Sequence, residues 1–296
     1  MVATVRAQTF DSVLKRLPPR NCIVVGDALL SLAEFQDQSF RCCVTSPPYW
    51  GLRDYGVEYQ IGAEVKLEHY VGNLVRVFRE VRRTLTDDGT LWLNIGDGYT
   101  SGGRTWRAAD KKNPARAMEY RPDTPAGLKP KDLLGIPWRV ALALQDDGWY
   151  LRSDIIWHKP NCQPESVKDR PTRSHEYVFL LTKSERYYYD FESIKEPTNG
   201  DSAGKNRRTV WSIPTEPYPE AHFATFPQRL IEPCIMAGSQ PGDLVLDTFF
   251  GSGTVGVACL ELGRDFLGIE LSEEYAALAK RRIEEAEGTG EGRQRR

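Results

Sequence analysis

The chain of 296 residues is 40% hydrophobic and 27% charged, the balance of a folded globular protein. Its 39 Lys and Arg against 41 Asp and Glu leave a formal net charge of -2, which excludes binding nucleic acid through overall charge and leaves room only for a local basic face. No run nears the ~20 continuous apolar residues of a membrane span and residues 1–10 hold no apolar signal core, so the expected location is cytoplasmic.

Strand and helix signals alternate from the start. Residues 22–25 are an apolar run closed by Gly26-Asp27, and residues 28–35 carry Leu29, Leu30, Leu32 and Phe35 on a short helix. Residues 40–44 form a second apolar run, closed by Ser46-Pro47-Pro48. Apolar Tyr70, Leu74, Val77, Phe78, Val81 and Leu85 recur at helical spacing over 67–85. Asp87-Asp88-Gly89 then makes a turn before a strand over 90–95. Pro137 opens a helix that runs to Asp147-Gly148, and residues 151–157 read as a strand. Residues 176–182 and 187–191 read as a hairpin across 183–186. A helix over 227–236, a strand over 244–246, a helix over 254–262 and a strand over 266–269 follow. A closing helix over 272–286 takes Ser272 as its N-cap.

Alternation with continuous apolar strands predicts an α/β fold on a mostly parallel sheet. The polar stretches 98–131 and 196–220 fall outside the pattern and read as long functional loops. The Gly- and charge-rich tail over 287–296 reads as disordered. The six cysteines are scattered with no C-x-x-C pair, so buried reduced thiols are expected, with neither a zinc site nor a disulfide framework.

Asp247-Thr-Phe249-Phe-Gly251-Ser252-Gly253-Thr254-Val-Gly256 joins the strand at 244 to the helix that follows. The spacing Gly251-x-Gly253-x-x-Gly256 matches a dinucleotide fingerprint, in which backbone N–H groups and a helix start face a ligand. Glu270 ends the next strand, where an acid can hydrogen-bond ribose hydroxyls. On these glycines alone the loop suits NAD or a tight turn without ligand. Asp247 changes the balance, because a carboxylate at the mouth of the loop repels a pyrophosphate and attracts a cation. S-adenosyl-L-methionine (AdoMet) carries an ammonium, a ribose and no phosphate.

Thr45-Ser46-Pro47-Pro48-Tyr49-Trp50 closes the second apolar run. Two prolines fix φ and remove two backbone donors, which makes a stiff turn at a strand's C-terminal end. There Ser46 offers a hydroxyl, Pro47 a carbonyl and Tyr49 a flat face, a set able to hold a planar exocyclic amine. A purely structural Pro-Pro turn with an aromatic plug is the other reading.

Taken with the glycine loop, the motif resembles those of AdoMet-dependent, amino-methylating DNA methyltransferases. These carry an (Asp/Asn/Ser)-Pro-Pro-(Tyr/Phe) catalytic motif and a D-x-F-x-G-S-G cofactor motif. The Ser form resembles the N4-cytosine branch, while Asp is typical of N6-adenine enzymes. Catalytic before cofactor motif resembles the permuted β-class order, and permutation is tolerable because domain termini tend to lie close together. The resemblance implies a Rossmann-like methyltransferase fold with a mostly parallel central sheet and circularly permuted motif order. It also implies one catalytic domain over 1–296, with a catalytic half at about 20–195, a cofactor half at about 221–286, and DNA-recognition insertions at about 98–131 and 196–220.

Residue by residue, Ser46, Pro47, Pro48 and Tyr49 match the catalytic motif. Asp247, Phe249, Gly251, Ser252, Gly253, Thr254 and Glu270 match the cofactor motifs. Gly26-Asp27 resembles the motif that binds the cofactor's adenine amine, although Asp27 also suits a helix N-cap. His222-Phe-Ala-Thr225-Phe226-Pro227 resembles the segment that folds over the methionine end, with Phe226 as the contact. Trp157-His158-Lys159-Pro160 resembles the target-base segment, where Trp157 and Trp50 would stack on the base and Lys159 would contact it. Trp157 also suits a core position. One departure is Thr248, where the family usually has Pro.

Double-stranded DNA is the implied partner, with a flipped-out target base. A cognate restriction endonuclease is a further implied companion, and the acting form is a monomer or homodimer. Candidate DNA contacts are Arg104 and Arg107 in the first loop, a cluster at Lys168, Arg170 and Arg173, and Lys205, Arg207 and Arg208 in the second loop. His175-Glu176 invites an acid/base reading, yet nothing in the sequence converges on it, and both it and His222 stay outside the catalytic set. Against methyl transfer to cytosine N4 stand N6-adenine methylation, a non-catalytic DNA-binding module on the same scaffold, and an NAD enzyme.

Overall fold

The computed structural model describes residues 2–7, 15–51, 60–100, 122–198, 201–216 and 226–293. Its strands and helices follow the alternation in the sequence. In chain order they are β1 (Ala3–Arg6), β2 (Cys22–Val25), α1 (Ala28–Ala33), β3 (Phe40–Thr45), α2 (Leu67–Thr84) and β4 (Leu85–Ile95). Then come α3 (Ile136–Asp146), β5 (Tyr150–His158), β6 (His175–Thr182), β7 (Glu196–Thr198), β8 (Asp201–Lys205) and β9 (Val210–Ser212). The chain closes with α4 (Gln228–Gly238), β10 (Leu244–Asp247), α5 (Thr254–Glu261), β11 (Asp265–Glu270) and α6 (Glu273–Arg293).

Nine of these strands form one sheet in the order β1-β2-β11-β10-β3-β4-β6-β5-β9, and β7 and β8 make a separate hairpin. From β1 to β4 all pairings are parallel; β6 runs antiparallel between β4 and β5, and β9 adds parallel to β5. The strands read as unbroken apolar runs because both faces are covered, as expected for a parallel sheet. Val24, Cys43, Leu91, Leu93 and Leu246 pack with α1, α2 and α3 on one face. Their neighbours Ile23, Cys42, Val44, Trp92 and Val245 pack with α4, α5 and α6 on the other. The two-residue period of the strands therefore divides one hydrophobic run between two cores.

Several expectations are corrected. Asp87-Asp88-Gly89 does not end an element but lies inside β4, where the register jumps from Phe40↔Leu85 to Cys42↔Thr90. The turn residues form a bulge, braced by Arg41 on Asp88 and Lys183 on Asp87. Residues 187–191 are not a strand: β6 already pairs with β4 and β5 on its two sides, and this segment instead crosses beside Asp88 and Ala237 through bonds from Tyr188 N and Asp190 N. The stretch 196–220 is not simply a loop, since it supplies the β7–β8 hairpin and edge strand β9. Trp211 on β9 is buried, which anchors this segment to the sheet. The closing helix runs to Arg293 rather than stopping at 286, because a helix nucleated by buried Ala276, Ala279 and Ile283 propagates at one hydrogen bond per residue. Ser272 does cap its start, accepting from Tyr275 N at 3.4 Å.

Five of the six cysteines are buried and all six are free. No helix among the described residues is long and apolar enough to cross a membrane, and none of their His, Cys, Asp and Glu groups is arranged to hold a metal ion.

Candidate active site along one edge of the sheet

Parallel strands end on the same side, so the topology gathers the singled-out motifs at one edge of the sheet. β2 delivers Gly26-Asp27, β11 delivers Glu270, β10 delivers Asp247, and β3 delivers Thr45-Ser46. Beyond them β4 ends at Gly96-Asp97, and β5 ends at Trp157-His158 just before Lys159. The antiparallel β6 begins at that edge with His175-Glu176. Ligands in open α/β sheets sit at this C-terminal edge.

The glycine loop turns as its sequence requires. Gly251 and Gly253 have φ of +52° and +78°, and Gly253 has no room for a side chain, since a Cβ there would lie 2.9 Å from the Ala279 Cβ. A Cβ on Gly251 would meet nothing nearer than the Phe249 carbonyl at 4.0 Å, so the loop backbone is open on that side. Glu270 accepts from Gly251 N at 2.7 Å and from Ser272 N at 2.8 Å, which binds the loop to the end of β11. Burial nevertheless holds the Glu270 carboxyl above its usual range.

Asp247 is buried and accepts from Thr45 Oγ1 at 2.6 Å and from Phe249 N at 3.1 Å. Desolvation outweighs both bonds and pushes its carboxyl up to about 7. Thr248 carries its hydroxyl to 3.2 Å from Thr45 Oγ1. Thr45 spends its one proton on Asp247, so Thr248 donates to Thr45. Where relatives of the resembled family place a proline ring, this chain has a buried hydrogen bond. Asp27 caps α1, its carboxylate accepting from Leu30 N at 2.9 Å, so the capping reading holds geometrically while the residue still faces the edge.

The carboxylates Asp27, Asp247 and Glu270 stand on neighbouring strand ends beside the open face of Gly251. That acceptor set suits a ligand with an ammonium, ribose hydroxyls and an adenine amine, and opposes one with a pyrophosphate. The residues present therefore fit AdoMet. Phe249, half-buried against Phe78 at 6.4 Å between ring centroids, and half-buried Phe226 before α4 can flank it. Ser252 and Thr254 are buried, and their hydroxyls accept from Arg282 of α6. Arg282 is a residue that sequence reading missed, because nothing in a charged helix marks one arginine among several.

Next to this cradle, Ser46 and Tyr49 are half-buried and Pro47 is buried. Tyr70 of α2 donates its hydroxyl to the Pro48 carbonyl at 2.9 Å, which fixes the Pro-Pro turn from below. The Tyr49 hydroxyl donates to Glu176 Oε2 at 2.8 Å. Burial first, and then the neighbouring Glu176, hold the Tyr49 phenol well above its usual range. Lys159 pairs with the other oxygen of Glu176 and lies 4.0 Å from the centroid of the Trp157 ring. The convergence on Glu176 was not legible in the sequence; its only signal was the His175-Glu176 pair itself.

The structure corrects two candidate stacking residues. Trp50 is 7% exposed, packs in the core and donates Nε1 to the Glu64 carbonyl at 2.8 Å. Trp157 is 2% exposed and donates Nε1 to the Ile213 carbonyl at 2.8 Å, so its core reading holds. Both rings are spent on packing, and neither is free to stack on a base; Tyr49 remains for that role.

Of the basic candidates, Lys205 on β8 and Arg208 are exposed, Arg208 pairing with Glu196. Arg207 is half-buried with its guanidinium 4.6 Å from the centroid of Trp211. Lys168 is exposed, while Arg170 and Arg173 are engaged by Glu165, Tyr99 and the Asp97 carbonyl. Arg104, Arg107 and His222 lie outside the described residues.

Comparison with known proteins places this geometry in context. A family model for N6/N4 methyltransferases, described as DNA methylase, matches residues 40–281. The Type II methyltransferase M.SmaI of Serratia marcescens is 66% identical over 266 residues, covering 89% of this chain and 91% of that protein. M.XycI of Xanthomonas campestris pv. cyanopsidis, also a Type II methyltransferase, is 64% identical over 88% of this chain and 86% of its own length. Among solved structures, a protein of Thermus thermophilus described as a DNA modification methylase, complexed with S-adenosyl-L-methionine, aligns with a TM-score of 0.62 at 27% identity. That alignment covers 89% of this chain and 93% of the other.

Proposed function

The chain belongs to the N6/N4 family of DNA methylases, and from that premise we propose that it is a site-specific Type II modification enzyme acting on the N4 amine of a flipped-out cytosine in double-stranded DNA. Its methyl donor is AdoMet. The Type II assignment rests on relatives of that description which match nearly the whole chain. The observation that carries the site assignment is the Thr45–Asp247 hydrogen bond of 2.6 Å, because it fixes Ser46 one residue away from the carboxylate that suits the donor's ammonium.

AdoMet, when bound, supplies a methyl group activated on a sulfonium. Asp247 and Glu270 would hold it through the ammonium and the ribose, and Asp27 would take the adenine amine. Ser46 Oγ and the Pro47 carbonyl accept the two protons of the target amine, whose lone pair is delocalised into the ring in the ground state. Acceptors placed there favour the pyramidal, charge-bearing nitrogen of the transition state. Tyr49 stacks on the base and recovers part of the few kcal/mol lost on flipping. Cytosine is favoured over adenine because Ser46 stands where adenine enzymes of the resembled type carry Asp. The exposed basic residues Lys205 and Arg208 serve the DNA backbone, and a cognate endonuclease is the expected companion of such an enzyme.

Unmethylated bacterial DNA incubated with the protein and AdoMet, digested and analysed by mass spectrometry, tests the proposal. N4-methylcytosine is expected from the wild type and none from Ser46→Ala. N6-methyladenine as the product would transfer the reading to the adenine branch, and full activity of Ser46→Ala would overturn the assignment of Ser46.

A further inference from the structure

We propose that Glu64 is a positioning residue for the target base, holding the backbone of Tyr49 where its ring can receive the flipped base. The inference rests on the stacking role of Tyr49 proposed above. It starts from Trp50, whose place in the catalytic motif is not explained by stacking, because its ring is buried. Its indole Nε1 donates instead to the Glu64 carbonyl at 2.8 Å, across 14 residues. The side chain of Glu64 then fastens the same segment twice more. Oε2 accepts from Gly62 N at 2.8 Å, and Oε1 accepts from Asn73 Nδ2 of α2 at 2.9 Å. The catalytic turn, the chain that returns beside it and the helix beneath therefore meet at one half-buried residue.

Gly62 carries that hold to the catalytic turn. Its carbonyl accepts from Gly51 N at 2.8 Å, and it packs so closely on Tyr49 that a Cβ there would lie 3.1 Å from the Tyr49 carbonyl oxygen. Tyr49 thus sits between two anchored neighbours: Pro48, whose carbonyl takes the Tyr70 hydroxyl at 2.9 Å, and Trp50, which is bound to Glu64. Tyr70 and Asn73 lie one helical turn apart on α2, so one face of one helix sets both flanks. The prolines stiffen the turn as far as Pro48, whereas nothing in covalent geometry fixes the chain after Tyr49. Glu64 supplies that second support. A displaced ring would shift the base and its amine relative to the methyl donor, and a misplacement of about 1 Å costs about 100-fold in rate. In this role Glu64 acts through the Tyr49 backbone.

Single-turnover methyl transfer to unmethylated bacterial DNA, with enzyme in excess over sites and AdoMet saturating, tests this. The variants are Glu64→Ala, Asn73→Asp, Glu64→Gln/Asn73→Asp, Tyr49→Leu and Glu64→Ala/Tyr49→Leu. Glu64→Ala is expected to slow transfer about 10- to 100-fold while AdoMet affinity by calorimetry stays within about twofold. Asn73→Asp sets two carboxylates face to face and should slow it as well. In Glu64→Gln/Asn73→Asp the new amide can accept from Gly62 N and donate to the new carboxylate, so transfer should return to within about threefold of wild type. Once Tyr49→Leu has removed the ring, Glu64→Ala should add less than about twofold, because both changes act on one stacking contact. Unchanged transfer in Glu64→Ala, no recovery in the exchanged pair, additive losses with Tyr49→Leu, or a loss confined to AdoMet affinity would each overturn the proposal while leaving the functional reading intact. If the wild type transfers no methyl group, that reading fails, and amide hydrogen exchange decides the hold on the turn by itself. The Gly51 amide is then expected to exchange faster in Glu64→Ala, and unchanged protection would overturn the hold.

Discussion

Thr45 and Asp247 lie 202 residues apart in the chain, yet the Thr45 hydroxyl donates to the Asp247 carboxylate at 2.6 Å. The bond ties the two motifs that the sequence presents separately, one at the end of β3 and the other at the end of β10. Replacing Thr45 by Val keeps the shape and removes the donor, leaving a buried carboxylate with one partner fewer. A loss of about 1.5–3 kcal/mol in stability is expected, the range for hydrogen bonds to charged groups, together with weaker AdoMet binding. Urea unfolding and calorimetry measure the two; an unchanged pair of values would show the bond to be incidental.

Asp247 also predicts a pH dependence. Its carboxyl is pushed up to about 7 by burial, so between the ordinary Asp range and that value the folded chain holds a proton the unfolded chain has lost. This group therefore favours the folded, ligand-free protein at low pH, and that contribution is lost as pH rises through about 7. Glu270, raised in the same direction, adds to the slope. An ammonium ligand selects the ionised carboxylate, so AdoMet affinity should increase about tenfold per pH unit up to about 7 and then level off. Calorimetry in buffers of different ionisation enthalpy should detect proton release on binding below that pH. Asp247→Asn should bind weakly at every pH and release no such proton.

Arg282 should act on the cofactor loop. Its guanidinium donates to Thr254 Oγ1 at 2.8 Å and Ser252 Oγ at 3.0 Å, both at the turn between β10 and α5. Arg282→Met keeps the aliphatic stem and removes the donors. The KM for AdoMet is expected to rise about tenfold with kcat nearly unchanged, the signature of lost binding that is equal in ground and transition states. A fall in kcat at constant KM would contradict it.

Lys205 tests the DNA face. It is exposed on the β7–β8 hairpin, away from the buried side of the sheet. If it contacts a phosphate, Lys205→Ala should weaken binding to all DNA sequences alike and reduce the slope of log K against log salt by about one. An unchanged slope would place the hairpin outside the DNA contact.

The alternation of strands and helices, the order of the two motifs and the class of cofactor are all legible in the chain alone. These are local properties: apolar runs, two-residue and helical periods, glycines at positive φ, and a carboxylate beside a glycine turn whose charge rejects phosphate. Ser46 and Tyr49 are marked in the same way as the chemical end of the molecule. Which side chains surround them was settled by packing. Glu176 reaches Tyr49 across 127 residues, and Arg282 reaches Thr254 across 28, through contacts that leave no period in the chain. Burial, likewise a property of the packed molecule, withdrew Trp50 and Trp157 into the core, since an indole at a strand end can face either side and its neighbours choose which. The near-neutral charge read at the outset bears the same mark: composition limited DNA attraction to local patches, while folding committed Arg170, Arg173 and Arg207 to protein contacts and left Lys205 and Lys168 exposed.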